Sequence, residues 1–140
     1  MWHRTAVDGH RLLIDPSRNL VAIDGRAIPM HLHSSRITFL DPVTGLVVKI
    51  ARGNADQCLR EARLWKHVAG TPDSAHFASV LVCHARGTWI VQRLVVHNGY
   101  RTARRRQEYV QIMGRHNLFD DHDGNWVVRD RRVVIVDYGC

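Results

Sequence analysis

The sequence lacks the features that would place it in a membrane or in a secretory pathway. No apolar run approaches the ~20 residues that a helix needs to cross a bilayer. The N-terminal segment MWHRTAVDGHR contains no continuous apolar core and no small-residue cleavage site, so we expect no secretory signal. We therefore predict a cytoplasmic protein without a membrane partner, located in the host cytoplasm if the chain is viral.

Cysteine is scarce as well. The three residues Cys58, Cys83 and Cys140 are widely spaced, and none of them belongs to a C-x-x-C pair. This usage is typical of reduced thiols in a cytosol rather than of a disulfide framework. Repeats and low-complexity tracts are also missing, and a length of 140 residues suits one compact domain.

Negative charge is in short supply, because 20 Lys and Arg residues outnumber 13 Asp and Glu residues. The resulting formal charge of +7 favours an anionic partner, which could be a nucleotide, a nucleic acid or an acidic protein. A solvated basic surface would produce the same composition. The net charge of the chain therefore indicates the sign of the partner's charge and does not identify the class of partner.

Hydrophobic periodicity gives the order of the elements. Short apolar runs separated by turn residues predict strands, and apolar residues at three- and four-residue steps predict helices. Asn54 is a candidate N-cap of the first helix, and Gly70 ends it. The prediction is an α+β chain with strands at 11–15, 20–24, 36–41, 46–51, 78–85 and 88–96, helices at 55–68 and 100–115, and a hairpin at 126–128 and 133–136.

A lysine lies inside one of the apolar strands. Lys49 belongs to LVVKIA, where a buried ammonium needs an anion to satisfy it. Glu61 follows on the predicted helix, near the edge of its apolar stripe. An ion pair between the two would aim the lysine at phosphate oxygens. A lysine on an edge strand and a solvated helix glutamate are the alternative.

The most demanding pattern is near the C-terminal end of the sequence. Asp120 and Asn125 lie in a polar loop, a predicted hairpin follows, and Asp137 begins the triplet Asp-Tyr-Gly directly after it. Because a hairpin returns the chain to its starting point, we expect Asp137 to lie beside Asn125. Their oxygen atoms are of the kind that Mg²⁺ prefers. Asp120 would then be free to accept a proton from an attacking hydroxyl.

These motifs resemble the protein-kinase-like superfamily, in particular small phage-encoded serine/threonine protein kinase-like proteins and aminoglycoside phosphotransferases. The resemblance implies a minimal kinase-like fold. An N-lobe over residues 1–97 would combine an antiparallel sheet, one αC-like helix and an extra N-terminal hairpin. A reduced C-lobe over 98–140 would hold one helix and a hairpin.

The resemblance also implies ATP and Mg²⁺ as cofactors and assigns a role to each site residue. Lys49 and Glu61 would form the ion pair, Asp120 would be the catalytic base, and Asn125 and Asp137 would hold the metal. The strand WIVQRLV resembles the entry to the adenine-binding hinge, and from it we expect Gln92, Arg93 and Leu94 to contact the cofactor.

Two departures from the family pattern open a second interpretation. The segment 30–36, where the family has phosphate-covering glycines, contains none, and Ser34 and Ser35 are the expected substitutes. The sequence also stops one residue after the triplet, without an activation segment. The chain could be an active phosphotransferase acting on a protein or small-molecule hydroxyl. It could instead be a non-catalytic, pseudokinase-type protein that modulates a host or partner protein, or a homodimer that completes its own surface.

Three further patterns carry weaker hypotheses. His116 with the acidic run 120–123 could form a metal-hydrolase cluster, but adjacent residues rarely point at one ion. His31 and His33 have the spacing of a zinc pair without further ligands. The arginines between 101 and 106 lack a nucleic-acid recognition motif, so we do not expect a nucleic-acid partner.

Overall fold

The computed structural model describes residues 2–32, 36–118 and 122–139. Within these ranges the chain is an α+β protein with two α-helices, which confirms the predicted class. Its two short 3₁₀-helices span Pro72–His76 and Asp123–Asn125. The strands are β1 (His3–Val7), β2 (His10–Asp15), β3 (Leu20–Ile23), β4 (Arg26–Ala27), β5 (Met30–Leu32), β6 (Arg36–Asp41), β7 (Leu46–Ala51), β8 (Val80–Cys83), β9 (Trp89–Arg93), β10 (Trp126–Arg129) and β11 (Arg132–Ile135), and the helices are α1 (Asp56–Val68) and α2 (Ala103–Arg115).

The predicted N-terminal hairpin is part of a larger sheet. Strands β1 to β4 form a four-stranded antiparallel sheet in sequence order. The turns Asp8-Gly9 and Asp24-Gly25 both have positive φ at each residue, with values of 50° and 79° in the first and 50° and 78° in the second. Asp-Gly pairs accept this conformation and match the twist of a tight hairpin. The first of these turns adds β1, which the apolar pattern did not predict.

A second sheet has five strands in the order β5-β6-β7-β9-β8, and all of its neighbouring pairs are antiparallel. The two sheets share one apolar core, which explains why β6 and β7 are buried along almost their whole length. The buried residues of this core are Val7, Leu12, Ile14, Val21, Ile23, Ile28, Ile37, Phe39, Leu46, Val48, Ile50, Trp89 and Val91.

A smaller core lies between α2, the β10–β11 hairpin and the end of α1. Trp126 stacks on Tyr109 with ring centroids 5.3 Å apart, and Phe77 packs edge-to-face on Tyr138 at 5.1 Å. Backbone contacts tie this core to the five-stranded sheet, because Phe77 forms a parallel bridge with Ile135 just before β8. Neither α1 nor α2 has the length and apolarity that a bilayer crossing requires, in the part of the chain described.

Helix α1 is fixed at both ends. Asn54, the predicted N-cap, lies one residue before the observed N-cap Ala55, and its side chain accepts a hydrogen bond from the Asp56 N–H at 2.9 Å. Gly70, with φ of 83°, follows the last turn. At the start of the helix, a side chain at Gly87 would come within 2.5 Å of the Ala55 carbonyl oxygen. The β8–β9 turn therefore packs closely on the start of α1.

Candidate functional site

Glu61 is the centre of a buried polar network. Its side chain is fully buried between α1, the sheet and the chain after β11. Its carboxylate accepts hydrogen bonds from the Arg36 guanidinium, from Lys49 Nζ at 3.2 Å, from the Tyr138 N–H at 3.1 Å and, at a long 3.5 Å, from Gln92 Nε2. A carboxylate can be buried at acceptable cost only with such partners, and here charged and neutral donors surround it.

Lys49 points from β7 into the same network. Its ammonium donates to Glu61 and to the Val136 carbonyl oxygen at 2.8 Å, and its side chain is only 8% exposed. The strand lysine and the helix glutamate are thus brought together, and both contact the segment that follows β11. This geometry excludes the alternative of a lysine and a glutamate that are each solvated. The part the pair would play toward phosphate remains a prediction.

Arg36 is a member of the network that the sequence analysis missed. It is the first residue of β6, its side chain is 2% exposed, and it donates to both Glu61 and Asp137 Oδ1, the latter at 2.5 Å. Burial acts to lower the pKa of the guanidinium, but the charges of Glu61 and Asp137 outweigh it and raise the pKa above its ordinary value. Arg36 is therefore a permanent buried cation between two carboxylates.

The hairpin returns the chain to its starting point, as the sequence analysis expected. The backbone oxygen of Asn125 accepts hydrogen bonds from the N–H groups of Val136 at 2.8 Å and Asp137 at 3.2 Å. Asn125 is buried, and its side-chain nitrogen has no hydrogen-bond partner among the residues that the structure describes. The Asp137 side chain is 40% exposed. The two predicted metal ligands are therefore neighbours, while their role stays a prediction.

The rest of the triplet is anchored to α1 and to the sheet. Tyr138 is buried, its hydroxyl donates to the Ala78 carbonyl oxygen at 2.6 Å, and burial raises the pKa of its phenol. The Gly139 carbonyl accepts from Arg60 Nε at 3.0 Å. A Cβ at Gly139 would lie 2.5 Å from the Gln57 carbonyl oxygen, so glycine is required by close packing. These contacts fix the direction of the Asp137 backbone.

A cavity of about 220 Å³ opens beside the network. Its polar end is lined by Arg36, Lys49 and Asp137. The other walls are largely apolar and are formed by Leu40, Val47, Ala78, Leu94, Val95 and Val136. An apolar cleft with a few convergent charged groups is the usual form of a small-molecule site.

The three residues predicted for the hinge all line this cavity. Gln92 is buried at the end nearest Glu61. The N–H groups of Arg93 and Leu94 are already bonded, to the carbonyls of Ser79 at 3.0 Å and Gly45 at 2.8 Å. Any ligand contact from Arg93 and Leu94 would therefore use their side chains or carbonyl oxygens.

Three predicted site residues, Asp120, Ser34 and Ser35, lie outside the described residues, and their assignments stay predictions. The same holds for His33 of the histidine pair and for Asp121 of the acidic run. In the described ranges, no three His, Cys, Asp or Glu side chains gather in a way that could hold a metal ion. His116 instead lies 2.7 Å from Asp73.

The donor atoms expected for Mg²⁺ are present in kind, since Asp137 and Asn125 offer oxygen ligands. However, the guanidinium of Arg36 lies 2.5 Å from Asp137 Oδ1. A divalent cation at that oxygen would meet a fixed positive charge at close range. As arranged, the residues therefore do not fit a magnesium ion, and one would fit only if Arg36 released Asp137.

No family model matches the chain, and no curated protein matches it. Among solved structures, the chain is similar to the Legionella pneumophila Lpg2603 kinase bound to IP6, with a TM-score of 0.50 and 8% sequence identity. The similarity covers 99% of this chain and 59% of the kinase chain, so the present sequence spans about three fifths of its length. A likeness at this identity concerns the fold alone, and it supports a kinase-like fold.

Proposed function

We propose that the chain is a kinase-like protein that binds ATP in the cavity beside Glu61. The observation that carries the proposal is the contact of Lys49 with Glu61 at the polar end of an apolar cleft, next to the Asp-Tyr-Gly triplet. The ammonium has three N–H donors, of which Glu61 and the Val136 carbonyl take two. The third would be available to a phosphate oxygen.

The shape of the cavity suggests how the nucleotide would divide between its two ends. A volume of about 220 Å³ is below the ~300–1,000 Å³ usual for small-molecule sites, so it would enclose only part of ATP. The apolar walls suit the adenine ring. The charged end suits the phosphates, which would extend toward the surface at the half-exposed Asp137. The five-stranded sheet with α1 would then act as an N-lobe.

Phosphate transfer is a further step of the same proposal. Asp120 would accept the proton of a protein or small-molecule hydroxyl, while Asn125 and Asp137 would contribute oxygen ligands to Mg²⁺ only if Arg36 released Asp137. The kinase of similar fold was solved with IP6. This favours testing IP6 beside ATP as a second phosphate-rich ligand for the present chain.

A specific observation favours a second function. Arg36 holds Asp137, and the segment 30–36 contains no glycine, so the site departs from the family at both places where phosphate and metal would bind. A non-catalytic, pseudokinase-type protein of the kind encoded by phages would tolerate both departures. Its partner would be a host protein or a second copy of the chain, contacted outside the cavity.

Thermal unfolding with and without ligand tests the first function. A ligand that binds only the folded state raises the melting temperature, and ATP at 100 times its Kd would stabilise the fold by about 2.7 kcal/mol. We expect ATP to raise the Tm of the wild type and of Lys66→Met, an exposed lysine on α1, but not that of Lys49→Met. IP6 is measured in parallel.

Two results would contradict the proposal. One is a wild-type Tm that stays unchanged at millimolar ATP, which would favour the non-catalytic function. The other is a rise in the Tm of Lys49→Met as large as that of Lys66→Met. This second result would place the ligand elsewhere on this basic chain.

A further inference from the structure

We propose that Arg36 takes the place of a divalent metal at Asp137, so that this pocket binds nucleotide phosphates without Mg²⁺. The inference rests on the proposed nucleotide function and specifies the chemistry by which the site would neutralise its ligand. It concerns a residue that neither the motifs nor the fold comparison assigns.

The position of the guanidinium is the first argument. Arg36 bridges the buried Glu61 and the half-exposed Asp137, and it lines the charged end of the cavity together with Lys49. A guanidinium has five N–H donors in a planar fork. Glu61, Asp137 and, weakly, the Cys58 thiol at 3.9 Å take three of them among the described residues. A phosphate entering the cavity would find the remaining donors.

The sum of charges is the second argument. Lys49 and Arg36 balance Glu61 and Asp137, so the four groups together are neutral. Without Arg36 the same set would carry one negative charge, and a phosphate brought beside Asp137 would be repelled unless a metal ion stood between them. The guanidinium removes that repulsion from within the protein.

The place of Arg36 in the sequence is the third argument. It directly follows residues 33–35, in the glycine-free segment 30–36, where the family resemblance would place backbone N–H groups beside the phosphates. As the first residue of β6, it is held in register opposite Ala51 of β7. Arginine is well suited to phosphate because its fork can donate two parallel hydrogen bonds. One side chain thus offers donors next to a segment of the sequence that has no glycines.

The contacts of Arg36 also argue against its displacement by Mg²⁺. One end of the fork is held by Glu61, which is fully buried, and the Arg36 side chain itself is 2% exposed. Moving the guanidinium away from Asp137 would leave a buried cation with less compensation, which is costly. Mg²⁺ also gives up its water reluctantly. The arrangement therefore favours the Arg36 guanidinium over Mg²⁺ as the cation beside Asp137.

Isothermal titration of ATP in Mg²⁺ and in EDTA tests the inference on four proteins: the wild type, Arg36→Gln, Asp137→Asn and Arg18→Gln. Arg18 is an exposed arginine between β2 and β3 and controls for the loss of one positive charge. For the wild type and Arg18→Gln, we expect the Kd in EDTA to lie within about threefold of the Kd in Mg²⁺, a difference of less than ~1 kcal/mol. For Arg36→Gln, we expect ATP to bind at least ~10-fold more weakly in EDTA than in Mg²⁺.

Asp137→Asn keeps the test decisive if Arg36→Gln does not fold. Because the neutral amide of this variant would release the guanidinium, ATP should bind the variant in EDTA at least as tightly as it binds the wild type. If Asp137→Asn instead weakens binding only in Mg²⁺, Asp137 is a metal ligand and the inference is wrong. If the wild type binds ATP more than ~10-fold more tightly in Mg²⁺ than in EDTA, the inference is wrong and the proposed nucleotide function still holds. Absence of binding in both buffers would overturn both.

Discussion

Replacing Glu61 with glutamine removes the negative charge at the centre of the network and little else. The amide has nearly the same size and keeps an acceptor oxygen for the Tyr138 N–H. Arg36 and Lys49 remain, with side chains 2% and 8% exposed, and lose their shared buried counter-charge. Removing one partner of a buried ion pair costs about 3–5 kcal/mol. Because the half-exposed Asp137 still compensates Arg36, we expect a loss near ~3 kcal/mol.

Urea denaturation followed by tryptophan fluorescence measures this loss as a free energy of unfolding. The buried Trp126, stacked on Tyr109, should report the transition. Glu108→Gln is the matched control, since Glu108 pairs with Arg105 at 3.1 Å within α2 and both side chains are partly exposed. Surface pairs contribute ~0–1 kcal/mol, so the control should stay within that range. If Glu61→Gln lowers the free energy of unfolding no more than Glu108→Gln does, the charge of Glu61 does not stabilise the buried cations. That result would refute the reasoning.

Two further predictions concern the frame around the site. Gly139→Ala should destabilise the protein by about 1–3 kcal/mol, because the new Cβ would lie 2.5 Å from the Gln57 carbonyl oxygen. Gly114→Ala is the control, because Gly114 lies in α2 with open space around it, and it should be neutral or stabilise the protein by up to ~1 kcal/mol. Both effects are measured by urea denaturation. Equal effects of the two substitutions would contradict the close packing of Gly139 on Gln57. The hydrogen bond from Arg115 is the main cause that lowers the pKa of Asp73 from 3.8 to about 2. A carboxylate whose pKa is lowered by folding stabilises the fold at pH values above its unfolded-state pKa. The free energy of unfolding should therefore decrease as the pH falls from ~4 to ~2. In acid denaturation, Asp73→Asn should show a weaker dependence on pH in this range.

The fold was predictable where local patterns decide it. The hairpin at 36–41 and 46–51, both helices and the C-terminal hairpin follow from period and turn residues. The strand predicted over 88–96 ends earlier, at Arg93, because that residue pairs with Leu46, the first residue of β7. Beyond this point Val96 continues an apolar run, has no partner strand among the described residues and is exposed. Apolarity predicts burial only where a neighbouring element covers the residue.

The packing of the two sheets on one shared apolar core could not be predicted from these patterns. The strands β6 and β7 are continuous apolar runs, which indicates cover on both faces but does not say what provides it. The cover on one face is the N-terminal sheet, whose short strands alternate in burial. Two ion pairs also connect the N-terminal sheet to the five-stranded sheet: Arg26 pairs with Asp41 at 2.8 Å, and Asp8 pairs with Arg93 at 2.6 Å. Such long-range contacts have no local signal.

Arg36 shows most clearly why the site could be predicted only in part. The motifs identify which polar residues the fold should gather, because each motif is local. The partners of Arg36 lie 25 and 101 positions away, at Glu61 and Asp137, and nothing near an arginine at the start of an apolar strand distinguishes a buried side chain from an exposed one. Yet the charge of Arg36 bears on whether Asp137 can serve as a metal ligand. The identity of a motif residue is therefore a weaker guide to its chemistry than the charges that the folded chain brings against it.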